Sequence, residues 1–165
     1  MNFVFVSPQF PKTYWNFCDR LKHNGVNVLG IGDSGYDEIP DELKESLTEY
    51  YRVDSIADYD AMVRAMGYFT FKYGKIDWLE SNNEFWLEQD AALRTDFNIT
   101  TGAQNDFIDR IKYKSKMKES YIAAGVPVAR HHMVHENGLD DARAFVAQVG
   151  YPVIVKPDNG CGAEA

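Results

Sequence analysis

The sequence predicts an α/β fold. A parallel sheet with helices on both faces should fill about the first hundred residues, followed by a smaller, incomplete α+β unit. Three observations predict it. Short continuous apolar runs, with Phe3-Val4-Phe5-Val6 the first, read as strands buried on both faces. Stretches with apolar residues at helical spacing separate these runs, and strands alternating with helices imply right-handed βαβ connections. The character of the chain changes near Thr100-Thr101-Gly102-Ala103, which divides it into residues 1–103 and 104–165.

The elements follow in order. Residues 3–6 form the first strand, broken by Ser7-Pro8-Gln9-Phe10-Pro11. Thr13 offers an N-cap for a helix to about residue 24, with Trp15, Cys18 and Leu21 on one stripe and Gly25 closing it. Residues 26–31 are a second strand, 40–47 a short helix and 51–53 a third strand. Over 58–73, Tyr59, Met62, Val63, Met66 and Phe69 share one helical face. Residues 76–79 are a fourth strand ending at Glu80, and 83–97 a helix with Phe85, Trp86, Ala92 and Leu93 apolar. Beyond the boundary the pattern predicts a helix over 106–124, a strand over 128–134, a helix over 139–149 and a strand over 151–156. The last six residues, Gly160-Cys161-Gly162-Ala163-Glu164-Ala165, lead into no further element, which predicts a domain cut short within a loop.

Composition narrows the function. Of the 165 residues 45% are apolar and 23 are aromatic, so a real core forms and wholesale disorder is excluded. The formal charge of -8 repels nucleic acid and anionic membranes, which makes both poor partners. A small anionic ligand binds such a protein only where the field is locally reversed. Cys18 and Cys161, far apart in the chain, do not make a disulfide scaffold. No apolar run reaches the ~20 residues of a membrane span. The start runs straight into a strand without a basic segment or cleavage site, so a cytoplasmic location is expected.

Gly30-Ile31-Gly32-Asp33-Ser34-Gly35 fits the dinucleotide fingerprint, with Asp54 at a suitable distance for a ribose contact. Three features oppose a nicotinamide or flavin site. The match follows the second strand, not the first. Tyr36-Asp37-Glu38-Ile39-Pro40 does not open a helix, so no helix N-terminus faces a pyrophosphate. Asp33, Asp37 and Glu38 would set like charge beside phosphates. A glycine-rich turn is the better account. Lys112, Lys114, Lys116 and Lys118 spread around a helix axis and make no single nucleic-acid stripe. His131, His132 and His135 lack a further ligand at zinc spacing. Cys161 reads as a non-catalytic thiol.

The informative stretch is 109–162. Lys114 precedes Ala124-Gly125-Val126-Pro127, and later come Gly150-Tyr151-Pro152-Val153-Ile154-Val155-Lys156-Pro157 and Asn159-Gly160-Cys161-Gly162. An apolar strand that delivers Lys156 at its end places a cation where phosphate oxygens can reach it. A glycine-bearing loop just after it can turn backbone N–H groups on further phosphates, since no Cβ blocks the approach. Lys114 supplies a second positive contact, and the two lysines provide the local field that an acidic protein needs to bind ATP.

This pattern resembles the ATP-grasp superfamily, especially its biotin carboxylase and carbamoyl phosphate synthase large-subunit branch. Lys114 stands eleven positions before Gly125, as the family's first ATP lysine does; Lys156 matches the second, and Gly160 and Gly162 match the start of the lid loop. The chain departs from the pattern in having Tyr113 directly before Lys114, which leaves Lys112 and Lys116 as substitutes, and Ala163-Glu164 where more glycine or a basic residue is common. The first ~100 residues look like the Rossmann-like pre-ATP-grasp domain of the acceptor-substrate side.

The resemblance implies a carboxylate-amine ligase that binds ATP with Mg²⁺ and activates a carboxylate as an acylphosphate. The metal carboxylates and the catalytic residues are expected beyond Ala165, with no metal ligand in this chain. Ligands of parallel α/β sheets bind at the carboxyl ends of strands. That edge points to residues 7–14, 32–35 and 80–84, and to Ser7, Glu80 and Glu84 as acceptor-substrate candidates; for Glu80 and Glu84 a solvated helix start, favoured by the helix dipole, is an equal alternative. The partners implied are a small-molecule carboxylate and a nucleophile, with a homodimer allowed. The alternatives are a non-catalytic, Rossmann-like small-molecule-binding or regulatory module, and a nicotinamide-dependent oxidoreductase.

Overall fold

The structure is a computed structural model and describes residues 1–160. The chain divides into two compact units, Met1–Ile108 and a second beginning at Asp109. The first unit is built on four parallel strands: β1 (Asn2–Val6), β2 (Asn27–Gly32), β3 (Glu49–Arg52) and β4 (Trp78–Glu80), in the order β3-β2-β1-β4. The expected parallel α/β sheet is therefore present, and each strand end lies within two residues of its sequence-based position.

Both faces of this sheet are covered. Side chains alternate along a strand, so Val4 and Val6 point one way and Phe5 the other. Val4, Val6, Leu29, Ile31 and Leu79 pack with Met62, Ala65, Met66 and Phe69 of α3 (Tyr59–Tyr73) and Leu93 of α4 (Leu87–Asp96). On the opposite face Phe5 and Val28 meet Cys18 of α1 (Trp15–His23) and Leu43 of α2 (Asp41–Ser46). A strand buried on both sides needs apolar residues at every position, which is why β1 reads as an unbroken run. Burial also pushes the Cys18 thiol up to about 12, so it behaves as a core hydrophobe.

Local chemistry sets the helix ends. Asp58 caps α3 by accepting from the Ala61 N–H at 3.1 Å, and Gly74 ends it with φ +84°. The helix expected over 83–97 is split into a 3₁₀ turn at Glu84–Trp86 and then α4, because the Asn83 carboxamide accepts from the Phe85 N–H at 3.0 Å.

The end of β4 is held by one buried guanidinium. Arg94 of α4, 2% exposed, donates from Nε and Nη2 to the Leu79 carbonyl at 3.0 and 2.8 Å, and from Nη1 to the Ala103 carbonyl at 2.9 Å. Its Nη2 also pairs with Glu80 at 2.8 Å. The loop after α4 is thus fastened back onto the sheet. Gln104 donates to the Ile99 carbonyl and the Asn105 N–H to Thr95 Oγ1, and Ile108 is buried. Residues 103–108 accordingly pack as part of the first unit.

Beside Arg94, and one turn earlier on α4, lies the fully buried Asp90. Its Oδ2 accepts from Ser81 Oγ at 2.6 Å and from the Ser81 N–H at 3.1 Å, while Oδ1 has no hydrogen-bond partner. Burial raises this carboxyl to about 6; the Ser81 bonds and Arg94 only partly oppose it, and Glu80 adds to the rise. Arg94 spends its donors on two carbonyls and Glu80, which leaves Asp90 outside its fork.

The second unit has α5 (Asp109–Lys112), α6 (Lys114–Ala123) and α7 (Leu139–Val149). The single helix expected over 106–124 is interrupted at Tyr113, whose backbone is extended (φ -88°, ψ 123°). The strands expected over 128–134 and 151–156 are corrected: neither segment joins a sheet among the described residues. Their apolar pattern is strand-like, but a strand exists only as a ladder with a neighbour. Tyr151, Ile154 and Val155 stand 84%, 88% and 89% exposed. No helix among the described residues is long and apolar enough to cross a membrane.

Two outcomes are expected from this packing. A Cβ on Gly102 (φ +95°) would sit 2.9 Å from Arg94 Nε, whereas one on Gly25 (φ +76°) meets nothing within 4 Å. Gly102→Ala should therefore cost roughly 2–4 kcal/mol in urea unfolding, and Gly25→Ala only about 1–2 kcal/mol of backbone strain. Asp90, raised in the fold from 3.8 to about 6, favours the folded state fully below pH 3.8, and that contribution is lost as pH rises through about 6. Asp90→Asn should remove on the order of 2–3 kcal/mol of pH-dependent stability between pH 4 and 6, read as the difference between the two proteins' unfolding curves.

Candidate functional site

In a parallel sheet the carboxyl ends of the strands face the usual ligand edge. At that edge of the first unit, Ser7 follows β1 with φ +56°, nearly buried. Its N–H donates to the Ile31 carbonyl at 2.8 Å, and its carbonyl accepts from the Phe10 N–H at 3.2 Å. A non-glycine residue held in the left-handed region is strained and persists only where its surroundings fix it. The loop after Ser7 reaches both neighbours. Gln9 Nε2 donates to Asp33 at 2.8 Å beyond β2, and the Tyr14 hydroxyl donates to the Asn82 carbonyl at 2.5 Å beyond β4.

The sheet therefore brings Ser7 and Glu80 to one edge, with Glu84 on the 3₁₀ turn beyond β4. Their surroundings differ. Glu80 is half-buried and paired with Arg94; burial raises its carboxyl, and Arg94 opposes the rise. Glu84 is exposed. Ser81, Asp90 and Arg94, which hold Glu80 and its loop, were not visible as a group in the sequence. Asp90 and Arg94 do carry the four-residue spacing that puts two side chains on one helix face.

The dinucleotide-like run is a turn, for a steric reason. A Cβ on Gly30 would sit 2.9 Å from Leu47 Cδ1, and one on Gly32 would collide with the Tyr50 hydroxyl and the Gln9 side chain. The space beside these glycines is filled by protein. Next, the Glu38 carboxylate takes the Gly35 N–H at 2.8 Å, and only a three-residue 3₁₀ turn, Tyr36–Glu38, follows.

In the second unit Lys114 is the first residue of α6. Tyr113 provides no side-chain cap; Asp158, 43 residues downstream of Ser115, does so instead. The Ser115 N–H donates to Asp158 Oδ1 at 2.7 Å and Ser115 Oγ to Oδ2 at 2.8 Å, while the Lys114 N–H reaches the Asp158 carbonyl at 3.1 Å. The Lys114 ammonium lies 3.4 Å from the Asp158 carbonyl oxygen and 3.3 Å from that of Gly160. Lys114 and Gly160 are thus brought together. Lys156 is exposed, two residues before Asp158 on the same segment, and Gly162 lies outside the described residues.

The alternative lysines differ from Lys114: Lys112 is nearly buried, and Lys116 pairs with Glu119 at 3.4 Å on the surface. The His132 ring stacks on Phe145 at 5.6 Å. Among the described residues no group of three His, Cys, Asp or Glu side chains could hold a metal ion. The second unit can supply ammonium groups and a glycine loop to an anion. Asp158 and Ser115 escaped sequence reasoning because a cap supplied from so far along the chain leaves no local signature.

The chain is similar to several known proteins. Residues 109–164 match the family model "Carbamoyl-phosphate synthase L chain, ATP binding domain". A mitochondrial methylcrotonoyl-CoA carboxylase subunit alpha from Arabidopsis thaliana is 37% identical over 51 residues, 31% of this chain and 7% of that protein. The L-arginine-specific L-amino acid ligase of Bacillus subtilis is 27% identical over 145 residues, 88% of this chain and 33% of that protein. Among solved structures, the Bacillus licheniformis L-amino acid ligase superposes with a TM-score of 0.66 at 16% identity over 96% of this chain. The biotin carboxylase domain dimer of Hydrogenobacter thermophilus 2-oxoglutarate carboxylase, in complex with MgADP and bicarbonate, gives 0.71 at 20% identity over 97%. The chain covers 37% and 35% of these two structures, so it spans about a third of their length. The second unit thus matches the ATP-binding domain of the carbamoyl-phosphate synthase large chain over residues 109–164, and nearly all of the chain shares its fold with these two ATP-grasp enzymes, an L-amino acid ligase and a biotin carboxylase.

Proposed function

We propose that the chain is the amino-terminal part of an ATP-dependent carboxylate-amine ligase. The observation that carries this is the meeting of Lys114 with the glycine loop at Gly160, inside the segment that matches an ATP-binding family. In the proposed reaction a carboxylate oxygen attacks the γ-phosphorus of ATP and ADP leaves. An amine then attacks the acyl carbon of the acylphosphate and phosphate departs. Lys114 and Lys156 contact phosphate oxygens, and Gly160 and Gly162 are assigned to the same ATP site. Catalysis of this kind is mainly positioning and charge neutralisation, and point cations on a fixed scaffold suit it. A protein with net charge -8 needs these ammonium groups to draw in a polyanion.

Magnesium would neutralise phosphate charge in the complete enzyme, held by carboxylates that we assign to the portion of the ligase outside this chain. Ser7, Glu80 and Glu84 are proposed for the acceptor-substrate side. The L-arginine-specific relative supports an amino acid as one substrate. Small molecules are the proposed partners, within a cytoplasmic enzyme for which a homodimer is allowed.

Two measurements test the proposal. In the complete ligase Lys156→Met should leave the fold intact and weaken MgATP binding by about 1.5–3 kcal/mol, the scale of a hydrogen bond to a charged group. Lys156→Arg should restore only part of the loss, since a planar fork approaches phosphate differently. Wild-type binding and turnover in Lys156→Met would rule out this loop as the phosphate site. The 165-residue chain by itself should show no Mg-dependent ATPase activity above a Lys156→Ala control; measurable turnover would mean that the chain holds a more complete site.

A further inference from the structure

The glycine loop is anchored by a group that the proposed ATP contacts do not include. The Asp158 carboxylate takes both the N–H and the hydroxyl of Ser115, at 2.7 and 2.8 Å, on the first turn of α6. These are short, charge-assisted bonds, placed where free N–H groups and the helix dipole favour an anion. The Lys114 N–H adds a third tie, to the Asp158 carbonyl at 3.1 Å. The segment from Pro157 to Gly160 is therefore seated on α6 chiefly through one residue, Asp158. That seating puts two loop carbonyls, those of Asp158 and Gly160, beside the Lys114 ammonium at 3.4 and 3.3 Å. Both contacts are long, and a lysine ammonium has three N–H donors. Weak carbonyl contacts orient the ammonium without binding it so tightly that a phosphate oxygen could not compete.

We propose that Asp158 is a positioning residue for nucleotide binding: it docks the glycine loop on α6 and thereby aims the Lys114 ammonium along that loop. The proposal rests on the ATP-site assignment above and goes beyond it, because that assignment gives Asp158 no phosphate contact. An acidic residue between Lys156 and Gly160 repels a polyanion by charge alone. Its net effect is favourable only if ordering the loop and Lys114 outweighs that repulsion. A merely structural cap and a positioning residue thus differ in what their loss does to ATP.

The test combines two readouts. Amide hydrogen exchange at Ser115 in this chain reports docking without nucleotide, and calorimetric titration of the complete ligase with MgATP reports the consequence. Asp158→Ala should speed Ser115 exchange by several-fold, within the roughly 2–30-fold that loss of a cap allows, and weaken MgATP binding by about 5–20-fold. Asp158→Asn keeps an acceptor for the Ser115 N–H and should stay within about 3-fold of wild type in both. Ser115→Ala, which loses the hydroxyl bond alone, should move both readouts in the same direction by less. It carries the test if Asp158→Ala fails to fold, and no effect of Ser115→Ala on either readout would then overturn the proposal.

Faster exchange with unchanged or tighter MgATP binding in Asp158→Ala would overturn the positioning role. Unchanged exchange would overturn the docking itself. Wild-type MgATP binding by both Lys114→Met and Lys156→Met would instead overturn the ATP-site assignment, and the nucleotide role of Asp158 with it, whatever the exchange shows.

Discussion

A single guanidinium sets the geometry of the first unit's ligand edge. Arg94 is withdrawn from water, and a charge can stay there only if its donors are satisfied. It meets that condition through the Leu79 carbonyl at the end of β4, the Ala103 carbonyl in the following loop and the carboxylate of Glu80. Each tie joins a different part of the chain, so the strand end, α4 and the residues after it hold one arrangement. Glycine at 102 is required because the guanidinium passes where a side chain would project. The Asp90 carboxyl, left beside this ion without a donor for Oδ1, follows from the same choice.

From that anchor the rest of the edge can be traced. Glu80 emerges half-buried because its partner is buried, and the turn beyond it is fixed by Ser81 against Asp90. Tyr14 then bonds across to Asn82 and Gln9 to Asp33, so the loops after three neighbouring strands are linked by side chains. Such links make a preorganised rim out of loops, which would otherwise be the mobile part of an α/β fold. The second unit achieves a comparable result by other means: a carboxylate on a loop occupies a helix start that its own neighbouring residue leaves bare.

How much of this was legible follows from the range of each interaction. The strands of the first unit announced themselves because burial on both faces demands uninterrupted apolar residues, as in Val4-Phe5-Val6. The stripe from Met62 to Phe69 announced α3 in the same way. The second unit was less legible at the strand level. Val153-Ile154-Val155 has the composition of a strand, yet a strand is a relation between two segments, and no ladder forms there among the described residues. Within the candidate site, Lys114, Lys156 and the glycines stood out because their spacing is local. Asp158, Ser115 and Arg94 did not, since their partners lie far along the chain or are backbone carbonyls that look alike in any sequence. The glycine-rich run after β2 shows the converse. Its spacing was suggestive, and the Tyr50 ring that fills the space beside Gly32 comes from another strand.

The exposed run of Tyr151, Ile154 and Val155 bears on how the protein behaves in solution. Bare backbone flanked by β-favouring side chains invites pairing with another molecule. What opposes it is mutual repulsion between molecules that each carry a formal charge of -8. That repulsion reaches only about 10 Å in 0.1 M salt and about 3 Å at 1 M. The colloidal stability of the chain is therefore a matter of ionic strength more than of folding free energy, and concentrated salt should bring its molecules together while each remains folded.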